Sequence, residues 1–137
     1  MTDSLKGALF VAGSGMRAQG TRIRVIAENI ANQTSTADTP GGDPYRRKVV
    51  TFQNALDRQL DLDTVRVRRV TEDPSAFKLQ FDPNHPAADE NGYYKMPNVT
   101  GLIETMDMLE AQRTYQANVS VIENTKRMVS TTLDLLR

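Results

Sequence analysis

The sequence lacks cysteine altogether and has a single histidine, His85. Without cysteine the chain forms no disulfide and offers no thiolate ligand for zinc. Its cysteine content therefore does not indicate whether the protein works in an oxidising or a reducing compartment. His85 lies between Asn84 and Pro86 in a turn-rich stretch, where a solvated loop residue is a better expectation than a catalytic or metal-binding one. We therefore expect no enzyme activity, no cofactor and no metal site.

Other ligand-binding patterns are missing as well. Asp57, Asp61 and Asp63 lack the ligand and glycine spacing of a calcium loop, so solvated carboxylates are the better interpretation. The glycine pair Gly41 and Gly42 is not followed by the Gly-Lys-Ser/Thr of a phosphate-binding loop. No small-molecule substrate is expected.

The chain has no excess of charge of either sign, with 17 basic and 17 acidic residues. A neutral chain provides no net field to attract nucleic acid or an anionic membrane. Basic residues do cluster at residues 46–48 and 66–69, but acidic residues are interleaved with them, so a solvated strand face is favoured. We expect no nucleic acid partner.

Long hydrophobic runs are also absent. The apolar run from Leu9 to Ala12 stops at Gly13, which is too short for a signal-peptide core or a membrane span. We expect no direct membrane span and, if the protein leaves the cytoplasm, export without a cleaved signal peptide.

What the sequence does have is two terminal stretches with apolar residues at spacings of three and four, which predict long helices over residues 3–32 and 100–137. The first stripe comprises Leu5, Leu9, Ala12, Met16, Ile23, Ile26 and Ile30. The second comprises Met108, Ala111, Tyr115, Val119, Ile122, Val129, Leu133 and Leu136.

These stripes predict a mainly α fold. The terminal helices are expected to pair as an elongated antiparallel coiled-coil-like axial domain, formed discontinuously by residues 1–32 and 100–137, with a β-containing insert over residues 33–99. Apolar residues that lie off the stripes, namely Phe10, Val25, Leu102 and Leu135, are expected to find neighbours outside the chain.

Short strands are predicted in the insert over residues 45–52, 64–70 and 77–81. The last two of these are expected to form a hairpin around residues 72–75. Prolines exclude helix over residues 39–44 and 82–86.

Three segments carry a resemblance to a known family. Residues 27–32, Ala-Glu-Asn-Ile-Ala-Asn, resemble the Asn-x-Ala-Asn signature shared by flagellar rod and hook proteins. Residues 113–118 and the ending 125–137 are similar to the C-terminal axial helix of that family, and residues 82–99 resemble its proximal-rod members most.

The resemblance implies a structural subunit that the flagellar type III export apparatus delivers, with no signal cleavage, to the periplasmic rod of the bacterial basal body. There it would assemble with other copies of itself and with other rod proteins, in the proximal rod that transmits motor torque to the hook. The runner-up is a cytoplasmic coiled-coil adaptor, which the stripes alone support equally well; a nucleic-acid binder is a distant third.

Contacts between subunits are expected from the stripes, from amides that fix axial register and from apolar residues of the insert. For Tyr93, Tyr94 and Met96, docking on an adjacent subunit and covering the chain's own helices are equally open. The expected interface residues are Leu9, Met16, Ile23, Ile26, Asn29, Ile30, Asn32, Tyr93, Tyr94, Met96, Tyr115, Asn118, Val119, Ile122, Val129 and Leu133.

Overall fold

A computed structural model of the chain describes residues 2–137. Two long helices enclose the strands in sequence, and together they hold 47% of the chain, so the mainly helical class is supported only in part. The elements are α1 (Thr2–Ala31), β1 (Lys48–Asp57), β2 (Leu62–Glu72), β3 (Lys78–Phe81), β4 (Tyr93–Met96) and α2 (Gly101–Leu135).

Helix α1 ends at Ala31, and the next residue, Asn32, caps the carbonyl of Glu28. The backbone amide and the side-chain amide of Asn32 both donate to the carbonyl of Glu28, at 3.0 and 2.9 Å. The hydroxyl of Ser35 donates to the side-chain oxygen of Asn32 at 3.0 Å, across the turn that follows the helix. Asn32 thus has a structural role at the helix end.

Helix α2 contains no proline and no glycine after Gly101, as its prediction required. It is rich in threonine, and the threonine hydroxyls donate to the carbonyl four residues earlier, as in Thr105, Thr125 and Thr132. A hydroxyl satisfied in this way needs no other partner. Thr125 can therefore be buried without leaving an unpaired polar group.

The predicted hairpin of residues 64–70 with residues 77–81 is wrong. β1 pairs with β2 and β3 pairs with β4, in two separate two-stranded sheets. The first reversal occurs at residues 58–61, where the Asp57 carboxylate accepts bonds from the amides of Gln59 and Leu60 and Asp61 has a φ of 50°. β1 also extends from Lys48 to Asp57, beyond the predicted residues 45–52.

The loop between β3 and β4 is ordered by two aspartates. The side chain of Asp82 accepts a bond from the amide of Asn84, and that of Asp89 accepts bonds from the amides of Asn91 and Tyr93. Gly92 closes the loop with a φ of 84°, a conformation that favours glycine. These turns bring Phe81 and Tyr93 into register as the first pair of the β3–β4 hairpin.

The backbone groups into two compact units. The first unit contains the residues up to Ile23, with Val50–Arg69 and Leu109–Arg137; the second contains Arg24–Val49 and Val70–Met108. Each unit thus takes a part of α1, of β1, of β2 and of α2. The division into terminal and central segments that the sequence suggests stays a prediction.

In the first unit, α1 and α2 run antiparallel. Gly15 lies against Asn118, so closely that a Cβ on Gly15 would come within 2.8 Å of the Asn118 amide nitrogen. Further along, a nitrogen of Arg22 lies 3.6 Å from a carboxylate oxygen of Glu110. Glycine at this position lets the helix carrying Asn118 approach α1 closely.

Gly92 provides a test of the loop conformation. Changing Gly92 to Ala should lower the free energy of unfolding by about 2 kcal/mol, since a left-handed backbone costs a non-glycine residue about 1–2 kcal/mol. The new Cβ would also meet Phe81 at 2.8 Å. Urea unfolding followed by circular dichroism gives the comparison.

The matched control is Gly20→Ala, because Gly20 is helical and a Cβ there would meet nothing within 4 Å. That change should raise the free energy of unfolding by about 0.5–1 kcal/mol. Equal stability of the two variants would contradict the strained loop.

Candidate functional site

The second unit is organised around a buried amide, that of Asn29, which is 1% exposed. Its nitrogen donates to the carbonyl oxygen of Lys48 at 2.9 Å and to the Glu104 carboxylate at 3.1 Å. Its oxygen accepts bonds from the amide of Lys48 at 2.9 Å and from the hydroxyl of Tyr45 at 2.8 Å. The amide is therefore fully satisfied, and it ties α1 to the start of β1 and to α2.

Glu104, the other member of this pair, is completely buried. Its charge is balanced by Arg47, whose Nε donates to the second carboxylate oxygen. The same guanidinium lies 3.3 Å from Asp73 and 3.5 Å from Asp107. A buried carboxylate is tolerated only with such partners, because desolvating an unpaired charge costs several kcal/mol.

Asn98 joins this cluster to the loop that follows β2. Its side-chain oxygen accepts a bond from the backbone amide of Arg47 at 2.7 Å. Its nitrogen donates to the carbonyl oxygens of Asp73 and Ser75, at 3.1 and 3.2 Å. We refer to Asn29, Arg47, Asp73, Asn98 and Glu104 as the polar cluster.

The prediction that residues 46–48 form a solvated face is wrong. Besides the bonds of Arg47, Arg46 donates to the carbonyls of Asp73 and Ser75 and lies 4.1 Å from the centre of the Phe77 ring. The ammonium of Lys48 lies 3.1 Å from the Glu28 carboxylate. These charges are used inside the second unit, in contrast to the exposed Arg66, Arg68 and Arg69.

Three ionisable groups of the second unit have shifted pKa values. Burial raises the pKa of Tyr45 above its ordinary value. Burial would lower the pKa of Arg47, but the hydrogen bond to Glu104 and the charges around it outweigh that effect and raise it. The pKa of Asp73 is lowered, first by hydrogen bonds from the hydroxyl and amide of Ser75 and then by Arg47.

His85 lies in the loop, as predicted, but its ring is half-buried and packed instead of fully solvated. Its ring stacks on the ring of Tyr94, with centres 3.8 Å apart and planes 3° apart. Its Nδ1 accepts a bond from the amide of Ala87 at 3.0 Å, and its Nε2 lies 3.2 Å from the hydroxyl of Thr36. The ring thereby connects the loop to the segment that follows α1.

The residues expected at subunit contacts divide by their exposure. Ile26, Asn29 and Tyr94 are buried within the chain's own fold, while Tyr93 and Leu133 are exposed. A contact role for the set stays a prediction, and the buried members offer no free surface for it. The half-buried members are Leu9, Met16, Ile23, Ile30, Asn32, Met96, Tyr115, Asn118, Val119, Ile122 and Val129.

Some apolar side chains have no cover in the second unit. Leu102 and Met106, four residues apart on one face of α2, are 71% and 61% exposed. Val25, which was expected to lack a neighbour in the chain, is instead buried, so that expectation is wrong. Phe10 and Leu135, in the first unit, are exposed as expected.

The β3–β4 hairpin also has an apolar outer face. Strand alternation puts Leu79 and Phe81 on one side of β3, and the pairing places Tyr93 beside Phe81. All three are exposed, and the rings of Phe81 and Tyr93 meet edge to face with centres 5.1 Å apart. Tyr94 lies on the opposite, inner face, so the hairpin covers its own unit with one side only.

Neither a membrane span nor a metal site is found in the described part of the chain. None of its helices combines the length and the apolar character that crossing a membrane requires. Within residues 2–137, no three His, Asp or Glu side chains are arranged to hold a metal ion.

A substitution of Glu104 tests how much the polar cluster contributes to stability. Changing Glu104 to Gln should lower the free energy of unfolding by about 2–4 kcal/mol, because the ion pair with Arg47 is lost while the site stays buried. Thermal and urea unfolding measure the effect. The control is Glu110→Gln, whose carboxylate is 67% exposed and whose loss should cost less than about 1 kcal/mol. Equal costs would show that burial adds nothing to the Glu104 interaction.

The pH dependence of stability tests the direction of the pKa shift of Asp73. Its folded pKa is lowered, so its stabilisation is fully present above the unfolded value of about 3.9 and is lost as the pH falls through the folded pKa. The stability difference between the wild-type chain and Asp73→Asn should therefore be constant above about pH 5 and shrink below about pH 4. Urea titrations at several pH values measure it, with exposed Glu90→Gln as control. A difference that grows in acid would contradict the shift.

The sequence of this chain is similar to those of known proteins. A family model described as "Flagellar basal body rod FlgEFG protein C-terminal" matches residues 90–135. The chain is 51% identical over 135 residues to the flagellar basal-body rod protein FlgC of Agrobacterium fabrum, covering 98% of this chain and 97% of the relative. It is 42% identical to FlgC of Yersinia enterocolitica, covering 96% and 98%, and 38% identical to FlgC of Borreliella burgdorferi, covering 97% and 98%. The chain belongs to the FlgC family of flagellar basal-body rod proteins.

Proposed function

We propose that the chain works as a structural subunit of the flagellar basal-body rod, in its proximal part, where it transmits motor torque. The observation that carries the proposal is the similarity to rod proteins over nearly the whole chain. A structural role needs no catalytic group, and the chain is not an enzyme. The relatives named above are all rod proteins, and the alternative of a cytoplasmic coiled-coil adaptor has no support.

Uncovered apolar surface supports an assembling subunit. A monomer that works alone rarely leaves contiguous apolar side chains in water. In the second unit such side chains lie on α2, at Leu102 and Met106, and on the outer face of the β3–β4 hairpin, at Leu79, Phe81 and Tyr93. In the proposed rod these faces contact other copies of the chain or other rod proteins.

The proposal includes an antiparallel, coiled-coil-like pairing of α1 and α2. In the first unit it is supported by the apposition of Gly15 with Asn118. In the second unit it is supported by the bond between Asn29 and Glu104. Amides on facing helices can restrict register in coiled coils, which is the role proposed for the buried Asn29 and the half-buried Asn118.

The location is proposed as the periplasmic part of the basal body, reached through the flagellar type III export apparatus without signal cleavage. This rests on the relatives, which are flagellar basal-body rod proteins.

Fractionation tests the proposal. In the bacterium that makes this chain, an antibody against it should detect the wild-type protein in purified basal bodies. Met106→Asp should be made and folded but missing from basal bodies, and motility should be lost, because burying an unpaired carboxylate in a contact costs about 2 kcal/mol or more. Circular dichroism of the purified variant checks its fold.

The control is Gln112→Asp, an exposed and already polar position on the same helix. It should enter basal bodies and support swimming. Wild-type protein found only in the soluble cytoplasmic fraction would refute the rod role and favour the adaptor, whereas normal incorporation of Met106→Asp would show that this face of α2 is not packed.

A further inference from the structure

The first unit has an open cleft of about 660 Å³ between the first turns of α1 and the turn that joins β1 to β2. Val11, Leu60 and Leu62 provide its apolar lining, and Leu60 is 46% exposed. The charged residues of the lining are Asp3 and Lys6, which are three positions apart on α1 and hence on one side of the helix. Ser4 and Gln59 also line the cleft, which is therefore mainly apolar with one charge of each sign.

The end of α2 has the matching features. Leu135 and Leu136 are 82% and 80% exposed, and Leu133 is exposed as well. Asp134 and Arg137 flank Leu135 and Leu136, are three positions apart and have opposite signs; Arg137 lies two residues beyond the end of α2. Three exposed leucines within four residues are a strong departure from an ordinary protein surface.

The order of the charges is complementary for two chain segments that lie antiparallel, the start of α1 and the last residues of the chain. In that arrangement Lys6 lies opposite Asp134 and Asp3 lies opposite Arg137, while Leu133 and Leu136, three positions apart, lie toward the cleft. Among the residues that the structure describes, no salt bridge involves any of these four side chains.

Within one chain, the observed antiparallel register of α1 and α2 does not place Asp134 beside Lys6 or Arg137 beside Asp3. Gly15 lies opposite Asn118, so continuing the antiparallel register sets Asp3 opposite Ser130. In that register Asp134 and Arg137 lie past Lys6 and Asp3, so the two ion pairs of this contact do not form within one chain.

We infer that the cleft receives the end of α2 from a second copy of this chain. The inference rests on the proposed rod function and specifies a contact within it. Because cleft and helix end are different surfaces, each copy uses both, and the contact is heterologous; such contacts propagate into the open assemblies that a rod requires. Leu133 and Leu136 fill the apolar part of the cleft, and the two ion pairs set the direction of the incoming segment.

Charge exchange between two variants tests the contact. Lys6→Glu places two carboxylates opposite each other, and Asp134→Lys places two ammonium groups there, so each variant alone should associate about three- to tenfold more weakly than the wild-type chain. An equimolar mixture should regain wild-type association, because each cleft then finds a helix end of opposite charge. Analytical ultracentrifugation up to millimolar protein measures the dissociation constants.

Controls come from exposed charges elsewhere on α2. Lys126→Glu and Glu123→Lys make the same charge changes at exposed positions outside the last two turns and should leave the dissociation constant within about twofold. Wild-type protein that stays monomeric at millimolar concentration would overturn the inference. Single variants that are not rescued by mixing would overturn it too, since an effect within one chain cannot be repaired by another chain.

Cross-linking gives an independent measurement, made clean by the absence of native cysteine. Chains carrying Leu60→Cys and chains carrying Leu136→Cys are mixed and oxidised, and the yield of the mixed disulfide dimer is compared with that of Leu60→Cys and Ser130→Cys. At least a several-fold higher yield for Leu136→Cys is expected. Equal yields would overturn the contact.

The rod function and the contact between copies can be refuted independently of each other. If wild-type protein is recovered in basal bodies but the charge variants assemble and cross-link like their controls, the chain remains a rod subunit and only this contact is wrong. If wild-type protein is absent from basal bodies, the rod function itself fails, whatever the association in solution.

Discussion

The second unit depends on keeping the Glu104 carboxylate charged and buried. Desolvation of that charge opposes folding, and the partners that offset it, Asn29 and Arg47, come from distant parts of the chain. α2 can therefore settle only where α1 and the start of β1 are both in place. Apolar packing alone would tolerate sliding by a turn, whereas this arrangement specifies one register, as buried polar residues do in coiled coils.

The helices were predictable from sequence and the cluster was not. An apolar period from Met108 to Leu136, uninterrupted by proline, predicts α2 without knowledge of the rest of the chain. Asn29, by contrast, bonds to Lys48 and Glu104, which are 19 and 75 residues away, and no local pattern encodes such a pairing. One signal was present in the sequence: Glu104 is an acidic residue at a stripe position, four before Met108 and seven before Ala111.

The error in strand pairing has a related cause. Two aspartates, Asp57 and Asp73, each accept a bond from the amide two residues later, so both segments satisfy the local chemistry of a turn. Only the first becomes a hairpin. The second is held as a loop by Arg46 and Asn98, which bond its carbonyls from outside. Turn chemistry identified candidate reversals, and long-range hydrogen bonds decided between them.

Polar and apolar groups in this chain partly exchange their usual places. Asn29 and Glu104 are buried, while Leu102 and Leu135 are exposed. In a protein that acts alone both features would be costly, the first through desolvation and the second through apolar surface left in water. In a subunit of a larger assembly they have complementary effects. The buried polar groups fix the geometry of a unit before assembly, which limits the conformational entropy lost on association, and the exposed apolar groups provide the free energy of association. Rigid internal register and apolar exterior faces are therefore two parts of one requirement for a rod subunit.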